Sequence, residues 1–248
     1  MTQQINVSLL PSLTTAENLA NSTAVVIDVL RATTTICHAL AAGAESVVPC
    51  LTVEEALQRS DLREGSLLGG EREGVKIEGF DLGNSPAEYT ADVVRGRPVV
   101  FTTTNGTKAM LQCKQAEKVF IAAFVNLSAV CRELATAERV EIVCAGTNNE
   151  ITREDVLLAG AIVDELMVDS ADKSRFQLND QAEIAADSWK NAKENLTSVP
   201  LAERLKTSRG GQNVLKIGLE SDIEIAATLD RFDFAPMLDT QKWEIRLP

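Results

Sequence analysis

The sequence predicts an α/β protein: a layered α/β/α arrangement around a mixed, largely parallel sheet, with a helical C-terminal part packed on it. Residues 25–40, 99–111 and 140–160 predict this fold, since each runs from an apolar segment through a polar loop into a helix-like segment. Successive β-branched apolar residues suit strands covered on both faces. Open α/β sheets bind ligands beyond the carboxyl ends of their strands, so the three polar loops predict one polar site.

The same apolar pattern predicts each element in chain order. Strands are predicted at residues 6–10, 25–27, 46–50, 99–102, 119–122 and 140–144. Helices are predicted at residues 34–42, 53–62, 107–115, 127–135 and 153–168. Residues 169–229 are predicted to be mostly helical, and the polar stretch 169–180 is the one predicted linker. Because this linker is short, residues 1–248 are interpreted as a single domain, with two α/β lobes as the alternative.

The predicted helix at residues 153–168 has the clearest local signals. Its apolar residues recur close to the helical period. Thr152 precedes it and Asp155 follows three residues later, a near match to a capping box. Asp155 is therefore expected to support the start of its own helix.

Composition narrows the classes of partner. The chain has 36 acidic residues and 24 Lys and Arg, which gives a formal net charge of −12, and it contains no cluster of consecutive basic residues. A nucleic-acid partner is not expected, because its phosphates need a cationic face. An acidic protein that binds an anion must concentrate a few basic residues, or a cation, in one place.

Targeting signals are likewise not found in the sequence. No basic residue precedes Arg31, no apolar run reaches the length of a membrane span, and five scattered cysteines lack CxxC spacing. A cytoplasmic protein with reduced thiols and no membrane partner is therefore expected. The oligomeric state is left open, with a homodimer among the alternatives.

The loop after the strand at residues 25–27 has the composition of an anion site. Asp28 follows the strand directly, Arg31 comes three residues on, and three threonines open a helix. The amides of a helix N-terminus suit an oxyanion, with Arg31 as its counter-charge. A buried Asp28 needs compensation, either by a cation or by Arg31. The structural alternative is an internal Asp28–Arg31 ion pair.

Glycine-rich segments at residues 68–74 and 79–86 form a second candidate region. They place Glu71, Arg72, Asp81 and Asn84 among five glycines, which let a backbone approach a ligand closely. The alternative is a solvated surface loop.

Two further polar segments follow predicted strands. Residues 102–107, TTTNGT, open a helix and are expected to form an anion-binding nest or an ordinary capped turn. In the segment at residues 144–155, Gly146 and Thr147 turn the chain out of its strand. Glu154 and Asp155 also have a structural explanation, because acids in a first helical turn interact favourably with the helix dipole.

The single histidine limits the chemistry. His38 lies within an apolar helix and is expected to be structural. Without a second histidine, a His-based zinc site or a Ser-His-Asp triad fits poorly. Any metal is expected to be a hard cation held by carboxylates, with Mg²⁺ the first choice.

The chain resembles the 2-phosphosulfolactate phosphatase family in a series of ordered segments. They are DVLRATTT, LGGER, GFDLGNSP, TTTNGT, and CAGT followed by ED and AG. The C-terminal part also resembles that family's closing signature, at Ser208, Gly210, Gly211, Asn213, Leu215, Gly218, Asp222, Ile223, Asp230 and Pro236, so the resemblance spans about residues 25–236. It implies a Mg²⁺-dependent phosphoric monoester hydrolase with its own α/β fold. The implied reaction converts (2R)-2-phospho-3-sulfolactate to (2R)-3-sulfolactate and phosphate, on the way to coenzyme M.

Matching motif positions gives the candidate site residues. Candidates for catalysis are Asp28, Arg31, Arg72, Asn105 and Asp155. Candidates for substrate binding are Arg31, Thr33, Thr34, Arg72, Thr103, Thr104, Asn105, Gly106, Thr107, Gly146 and Thr147. Candidate Mg²⁺ ligands are Asp28, Glu71 and Asp81. The expected partner is a small phosphorylated sulfonate or carboxylate; the alternatives are a phosphatase for a related phosphorylated hydroxy acid and a non-catalytic anion-binding protein.

Overall fold

A computed structural model describes residues 2–168 and 175–248. The strands are β1 Gln3–Ser8, β2 Thr23–Ile27, β3 Ser46–Cys50, β4 Leu67–Arg72, β5 Val75–Lys76, β6 Pro98–Thr102, β7 Lys118–Ala122, β8 Arg139–Cys144, β9 Phe176–Leu178, β10 Met237–Asp239 and β11 Glu244–Arg246. The helices are α1 Ala16–Leu19, α2 Ala32–Ala41, α3 Val53–Asp61, α4 Ala91–Val94, α5 Gly106–Gln112, α6 Leu127–Leu134, α7 Arg153–Val168, α8 Asp180–Glu194, α9 Leu201–Lys206, α10 Arg209–Lys216 and α11 Glu220–Ala226. Short 3₁₀ helices lie at Pro11–Leu13, Pro86–Glu88, Cys113–Gln115 and Phe124–Asn126.

The strands form one mixed sheet in the order β5-β4-β6-β3-β11-β10-β7-β2-β8-β1-β9. Strands β4, β6 and β3 pair in parallel and form a short block. Strands β7, β2, β8, β1 and β9 form a long parallel block. The hairpin of β10 and β11 joins the blocks through antiparallel pairings with β7 and β3. Three successive antiparallel pairings separate β3 from β7, so the two blocks run in opposite directions.

Two helices pack between the blocks and give them a shared core. Helix α2 contacts β3 and β7, and helix α5 contacts β2 and β3. Ile36 of α2 and Met110 of α5 lie in one buried cluster with Val26 from the long block and Phe101 from the short block. The loops that lead into α2 and α5 are therefore brought close together.

A second core cluster packs the long block against α7 and α8. Ile142, Leu157 and Trp189 belong to this cluster. The two helices approach closely at Gly160, where a Cβ atom would lie 2.0 Å from the carbonyl oxygen of Ala185. Helices therefore cover the sheet on both sides, which confirms the predicted layered α/β/α class. Among the described residues, no helix combines the length and apolar character needed to span a membrane.

Most predicted elements are present. Strand β3 and helix α7 have the predicted bounds, and the other predicted elements differ by one to three residues at an end. The mostly helical tail is confirmed for the described residues by α8 to α11. Of the predicted linker, residues 169–174 lie outside the described residues. Residues 176–178 of that stretch form β9, which pairs in parallel with β1.

The Gly-rich segment at residues 68–74 was not among the predicted strands, but residues 68–72 of it lie in a strand, so the alternative of a solvated surface loop is wrong for them. The strand is β4, parallel to β6. Its glycines allow close packing: a Cβ at Gly69 would lie 2.3 Å from the Tyr89 hydroxyl oxygen, and one at Gly70 would lie 2.0 Å from the Thr102 carbonyl oxygen. Glycine within a strand often marks such an approach, and its low strand propensity concealed the strand in the sequence.

Candidate functional site

The polar loops meet around one cavity of about 710 Å³. Its wall combines the loops after β2, β6 and β8 with the end of β4, the turn that follows, and helix α10. The lining residues are Asp28, Leu30, Arg31, Glu71, Arg72, Glu73, Gly74, Asn84, Thr104, Asn105, Thr147, Asn148, Gly210, Asn213, Val214, Lys216 and Ile217.

The predicted convergence of the three loops is present, although one reason for it was not expected. Strands β2 and β8 are parallel neighbours, so their loops emerge at the same edge. Strand β6 belongs to the oppositely directed block, but α5 after it packs on β2. As a result, Asn105 Oδ1 accepts a hydrogen bond of 3.1 Å from the Asn148 amide. A Cβ at Gly106 would lie 2.8 Å from Asp28 Oδ2, so only glycine fits there without displacement.

Asp28 is a buried carboxylate on the cavity wall, with 7% of its surface exposed. Burial raises the pKa of Asp28 to about 7, and the negative charges of Glu71 and Glu154 act in the same direction. A long hydrogen bond of 3.4 Å from the Ala32 amide is its one side-chain contact of this kind among the described residues. Asp28 therefore needs a positive partner to remain ionised at neutral pH.

Arg31 does not provide that partner through an ion pair, so the structural alternative of an Asp28–Arg31 pair is wrong. Arg31 Nη1 instead donates to Asp222 Oδ2 at 2.8 Å, and its Nη2 donates to the Gly74 carbonyl at 2.7 Å. Asp222 Oδ1 in turn accepts a hydrogen bond of 2.6 Å from the Ser85 hydroxyl. The Arg31 guanidinium is thus fixed from behind while it lines the cavity.

Glu71 joins two loops at the wall. Its Oε1 accepts from the Thr104 amide at 2.8 Å, and its Oε2 accepts from the Gly74 amide at 2.6 Å. The Thr104 amide, which was expected to bind a phosphoryl oxygen, is therefore already engaged. Each carboxylate oxygen of Glu71 has a second lone pair available.

Arg72 is also held by the protein. Its guanidinium donates to the carbonyls of Glu71 at 2.7 Å and Leu51 at 3.0 Å, and to the Thr102 hydroxyl at 2.9 Å. Arg72 lines the cavity, but these contacts use several of its five donors.

Asp155 lies behind the wall rather than on it. Its Oδ1 accepts from the Val29 amide and its Oδ2 from the Gly146 amide, both at 2.9 Å. It therefore ties the loop after β2 to the loop after β8. The near match to a capping box does not form one, since Asp155 accepts from Val29 and Gly146 instead and the buried Thr152 hydroxyl has no hydrogen-bond partner among the described residues. Burial raises the pKa of Asp155 well above its usual range, and Glu154 and Asp28 add to this.

The predicted substrate-binding residues fall into two groups. Thr104, Asn105 and Thr147 line the cavity with Arg31 and Arg72. The residues outside the lining set are Thr33, Thr34, Thr103, Gly106, Thr107 and Gly146. Buried hydroxyls in this second group shape the loops: Thr33 donates to the Asp28 carbonyl at 2.9 Å and Thr34 to the Val29 carbonyl at 2.8 Å.

Asp81 is separated from the other predicted metal ligands. It is exposed, lies outside the lining residues, and accepts a hydrogen bond of 2.8 Å from the Leu68 amide of β4. Within residues 2–168 and 175–248, no group of three or more His, Cys, Asp or Glu side chains is placed to hold one metal ion. The structure therefore brings Asp28 and Glu71 to the cavity without Asp81.

Asp28 and Glu71 fit a Mg²⁺ ion on chemical grounds. Mg²⁺ prefers oxygen ligands and is commonly bound by one or two carboxylates, with water and substrate phosphate completing its coordination. Asp28 is buried beside a second carboxylate and has no cation pairing with it among the described residues. Two other lining residues carry buried oxygens that lack a hydrogen-bond partner in the described chain, namely Asn84 Oδ1 and Thr104 Oγ1.

Sequence reasoning missed the contribution of α10 to the site. Gly210, Asn213, Val214, Lys216 and Ile217 line the cavity, although only Gly210 and Asn213 stood in the C-terminal signature. The available local signal was the helical spacing of Gly210, Val214 and Ile217 on one face. Gly210 faces the start of α7, because a Cβ there would lie 2.0 Å from Glu154 Oε1.

Comparisons with known proteins agree on one family. A family model described as 2-phosphosulpholactate phosphatase matches residues 8–241. A Symbiobacterium thermophilum protein is 44% identical over 225 residues, covering 90% of this chain and 93% of that protein. A Thermotoga maritima protein is 44% identical over 216 residues, covering 87% and 88%. A protein of Clostridium perfringens strain 13 is 39% identical over 224 residues, covering 88% and 86%. All three relatives are named probable 2-phosphosulfolactate phosphatase.

Proposed function

The chain belongs to the 2-phosphosulfolactate phosphatase family, and on this premise we propose that it hydrolyses (2R)-2-phospho-3-sulfolactate with Mg²⁺ as its cofactor. The products are (2R)-3-sulfolactate and inorganic phosphate. The P–O bond to the ester oxygen breaks, water supplies the new oxygen on phosphorus, and the leaving alkoxide takes up a proton.

The observation that carries the proposal is the unpaired charge of Asp28. This buried carboxylate faces the cavity beside Glu71, and the nearby Arg31 pairs with Asp222 instead. Two uncompensated carboxylates would repel a phosphate dianion. A divalent cation held by Asp28 and Glu71 removes that repulsion and explains why a phosphatase site contains them. When bound there, Mg²⁺ would neutralise charge on the phosphoryl oxygens and stabilise the leaving group.

The remaining wall residues suit the binding of a small polyanion. The Arg31 guanidinium has five N–H donors, of which its contacts with Asp222 and Gly74 use two. The others are available to a substrate oxyanion. Asn84 and Thr104 provide buried polar atoms with unmet hydrogen-bonding capacity in the described chain. Because Asp222 fixes Arg31 in advance, little side-chain entropy is lost when substrate binds.

Asp155 acts in this proposal as a positioning residue. Its two hydrogen bonds hold Val29, next to Asp28, and Gly146, next to Thr147. Loss of these bonds would displace wall residues from both loops at once. Asp155 touches no substrate in this arrangement, because it does not line the cavity.

The test is phosphate release by the purified protein from 2-phosphosulfolactate. We expect release that stops with EDTA and returns with added Mg²⁺. If phosphate were released from phospholactate or phosphoglycolate but not from 2-phosphosulfolactate, the proposed substrate would be wrong. The result would support a related phosphorylated hydroxy acid as the substrate. Binding of these esters without turnover of any of them would instead support the non-catalytic anion-binding alternative.

A further inference from the structure

Helix α10 and the residue that follows it, Ile217, contribute cavity-lining residues from Gly210 to Ile217. At the start of the helix, a Cβ on Gly210 would meet Glu154 Oε1 at 2.0 Å and Leu30 Cβ at 3.4 Å. Directly after its last residue, Ile217 Cδ1 would lie 3.3 Å from a Cβ on Gly74. Seven helical residues correspond to about 10 Å of axial length. The helix therefore spans two separate parts of the wall.

These two ends differ in the charged groups that lie beside them. The Gly210 end lies at Glu154, whose negative charge is among those that act on Asp28. At the Ile217 end, the Gly74 carbonyl accepts a hydrogen bond from Arg31 Nη2 at 2.7 Å. Lys216 lines the cavity one residue before Ile217. The cations Arg31 and Lys216 thus lie at the Ile217 end, together with Glu71, which accepts from the Gly74 amide, and Glu73, which lines the cavity.

Lys216 differs from the other two cationic residues on the wall. Arg31 pairs with Asp222, and Arg72 donates to three protein oxygens. Lys216 is exposed at the cavity, and no carboxylate of residues 2–168 or 175–248 lies within 4.0 Å of its ammonium group. In contrast, Lys206 on α9 contacts the carboxylates of Glu203, Glu220 and Glu224. The Lys216 ammonium therefore keeps its charge available for a ligand.

The proposed substrate has an anionic group at each end. Its ester phosphate belongs with the cation that Asp28 and Glu71 would hold. Its sulfonate has three acceptor oxygens, and a flexible lysine ammonium can match them with three donors. We propose that Lys216, together with Arg31, binds the sulfonate, and that Lys216 is therefore a specificity-determining residue. This proposal rests on the proposed function.

Binding of the product isolates this interaction from catalysis. Calorimetric titration of 3-sulfolactate into the wild type, Lys216→Met, Lys216→Arg and Lys190→Met measures the effect of one cation. Lys190 is an exposed lysine on α8 outside the lining residues, so Lys190→Met is a matched control. We expect Lys216→Met to weaken binding about tenfold, a typical effect of losing one charge-assisted hydrogen bond. Lys216→Arg should restore most of the affinity, and Lys190→Met should leave it at the wild-type value.

Kinetics then show which end of the substrate is bound. The ratio of kcat/KM for 2-phosphosulfolactate to that for 2-phospholactate, which lacks the sulfonate, should fall about tenfold in Lys216→Met. An unchanged ratio would overturn the assignment. The assignment would also be overturned if Lys216→Met weakened the binding of inorganic phosphate as much as the binding of 3-sulfolactate, because the lysine would then bind the phosphoryl group.

The outcomes for the two proposals can be separated. If the wild type releases phosphate from neither ester, the proposed function fails, and the binding of 3-sulfolactate alone decides the role of Lys216. No measurable binding of 3-sulfolactate to the wild type would overturn that role. If the wild type discriminates between the esters and Lys216→Met discriminates equally well, only the Lys216 assignment fails.

Discussion

The guanidinium of Arg31 and the carboxylate of Asp222 form a buried ion pair, with Nη1 and Oδ2 2.8 Å apart and side-chain exposures of 3% and 0%. Arg31 comes from the loop after β2, and Asp222 comes from α11 near the other end of the chain. The pair therefore links the α/β part of the protein to the C-terminal helices and fixes a cation on the cavity wall.

Asp222→Ala should leave Arg31 buried without its counter-charge. Removal of one partner of a buried pair costs about 3–5 kcal/mol, so we expect a loss of that size in the free energy of unfolding. Chemical denaturation measures it. Asp233→Ala is the matched control, because Asp233 pairs with Arg132 on the surface, where exposed pairs contribute little. Equal losses in the two variants would contradict the structural role given to the Arg31–Asp222 pair.

Asp28→Asn should lower turnover on the order of 100-fold or more, because it removes the carboxylate that the proposed function places beside both cation and phosphoryl group. Its fold should persist, since Asn is of similar size and uncharged at a buried position. Steady-state phosphate release and thermal unfolding check the two statements. Asp81→Asn makes the same chemical change at an exposed position outside the cavity and should retain activity. Near-normal turnover in Asp28→Asn would remove Asp28 from the site, and equal losses in both variants would restore Asp81 to the metal site.

Asp155→Asn should destabilise the protein while leaving its helix intact. The aspartate accepts two amide hydrogen bonds, but an asparagine has one side-chain oxygen and must leave an amide of Val29 or Gly146 unmatched. An unsatisfied buried donor costs about 1–3 kcal/mol, which urea denaturation can measure. Hydrogen exchange at the same two amides should become faster. Unaltered exchange at both amides would show that Asp155 does not hold the loops.

The imidazole of His38 should have a pKa well below that of a free histidine. Burial lowers the pKa of His38 to about 4 from its usual 6.5, with the positive charge of Arg231 acting in the same direction. Between these values the unfolded chain binds a proton that the folded protein does not, so this group makes the protein less stable as pH falls from about 6.5 to about 4. Because the chain has one histidine, its imidazole resonance in NMR reports the pKa directly. A midpoint at or above 6.5 would contradict the burial of the ring.

Much of the fold follows from local patterns. The strand–loop–helix units around Asp28, Asn105 and Thr147 were predictable, because runs of β-branched residues and helical periodicity act over short distances. Strand β4 was missed, because its glycines give a weak strand signal. They are explained only by the nearby Tyr89 hydroxyl and Thr102 carbonyl. The catalytic roles of the site residues stay predictions until they are measured.

By itself, the sequence determined the α/β class, the ordered motifs of the family and the polar composition of the loops. The tertiary structure alone decided where those side chains lie and what they contact. It paired Arg31 with Asp222, 191 positions away, and left Asp28 without that ion pair. It also excluded Asp81 from the cavity and placed Lys216 on its wall. The physical reason is that burial and ion pairing depend on which distant segments the folded chain brings together, and no local periodicity encodes that proximity.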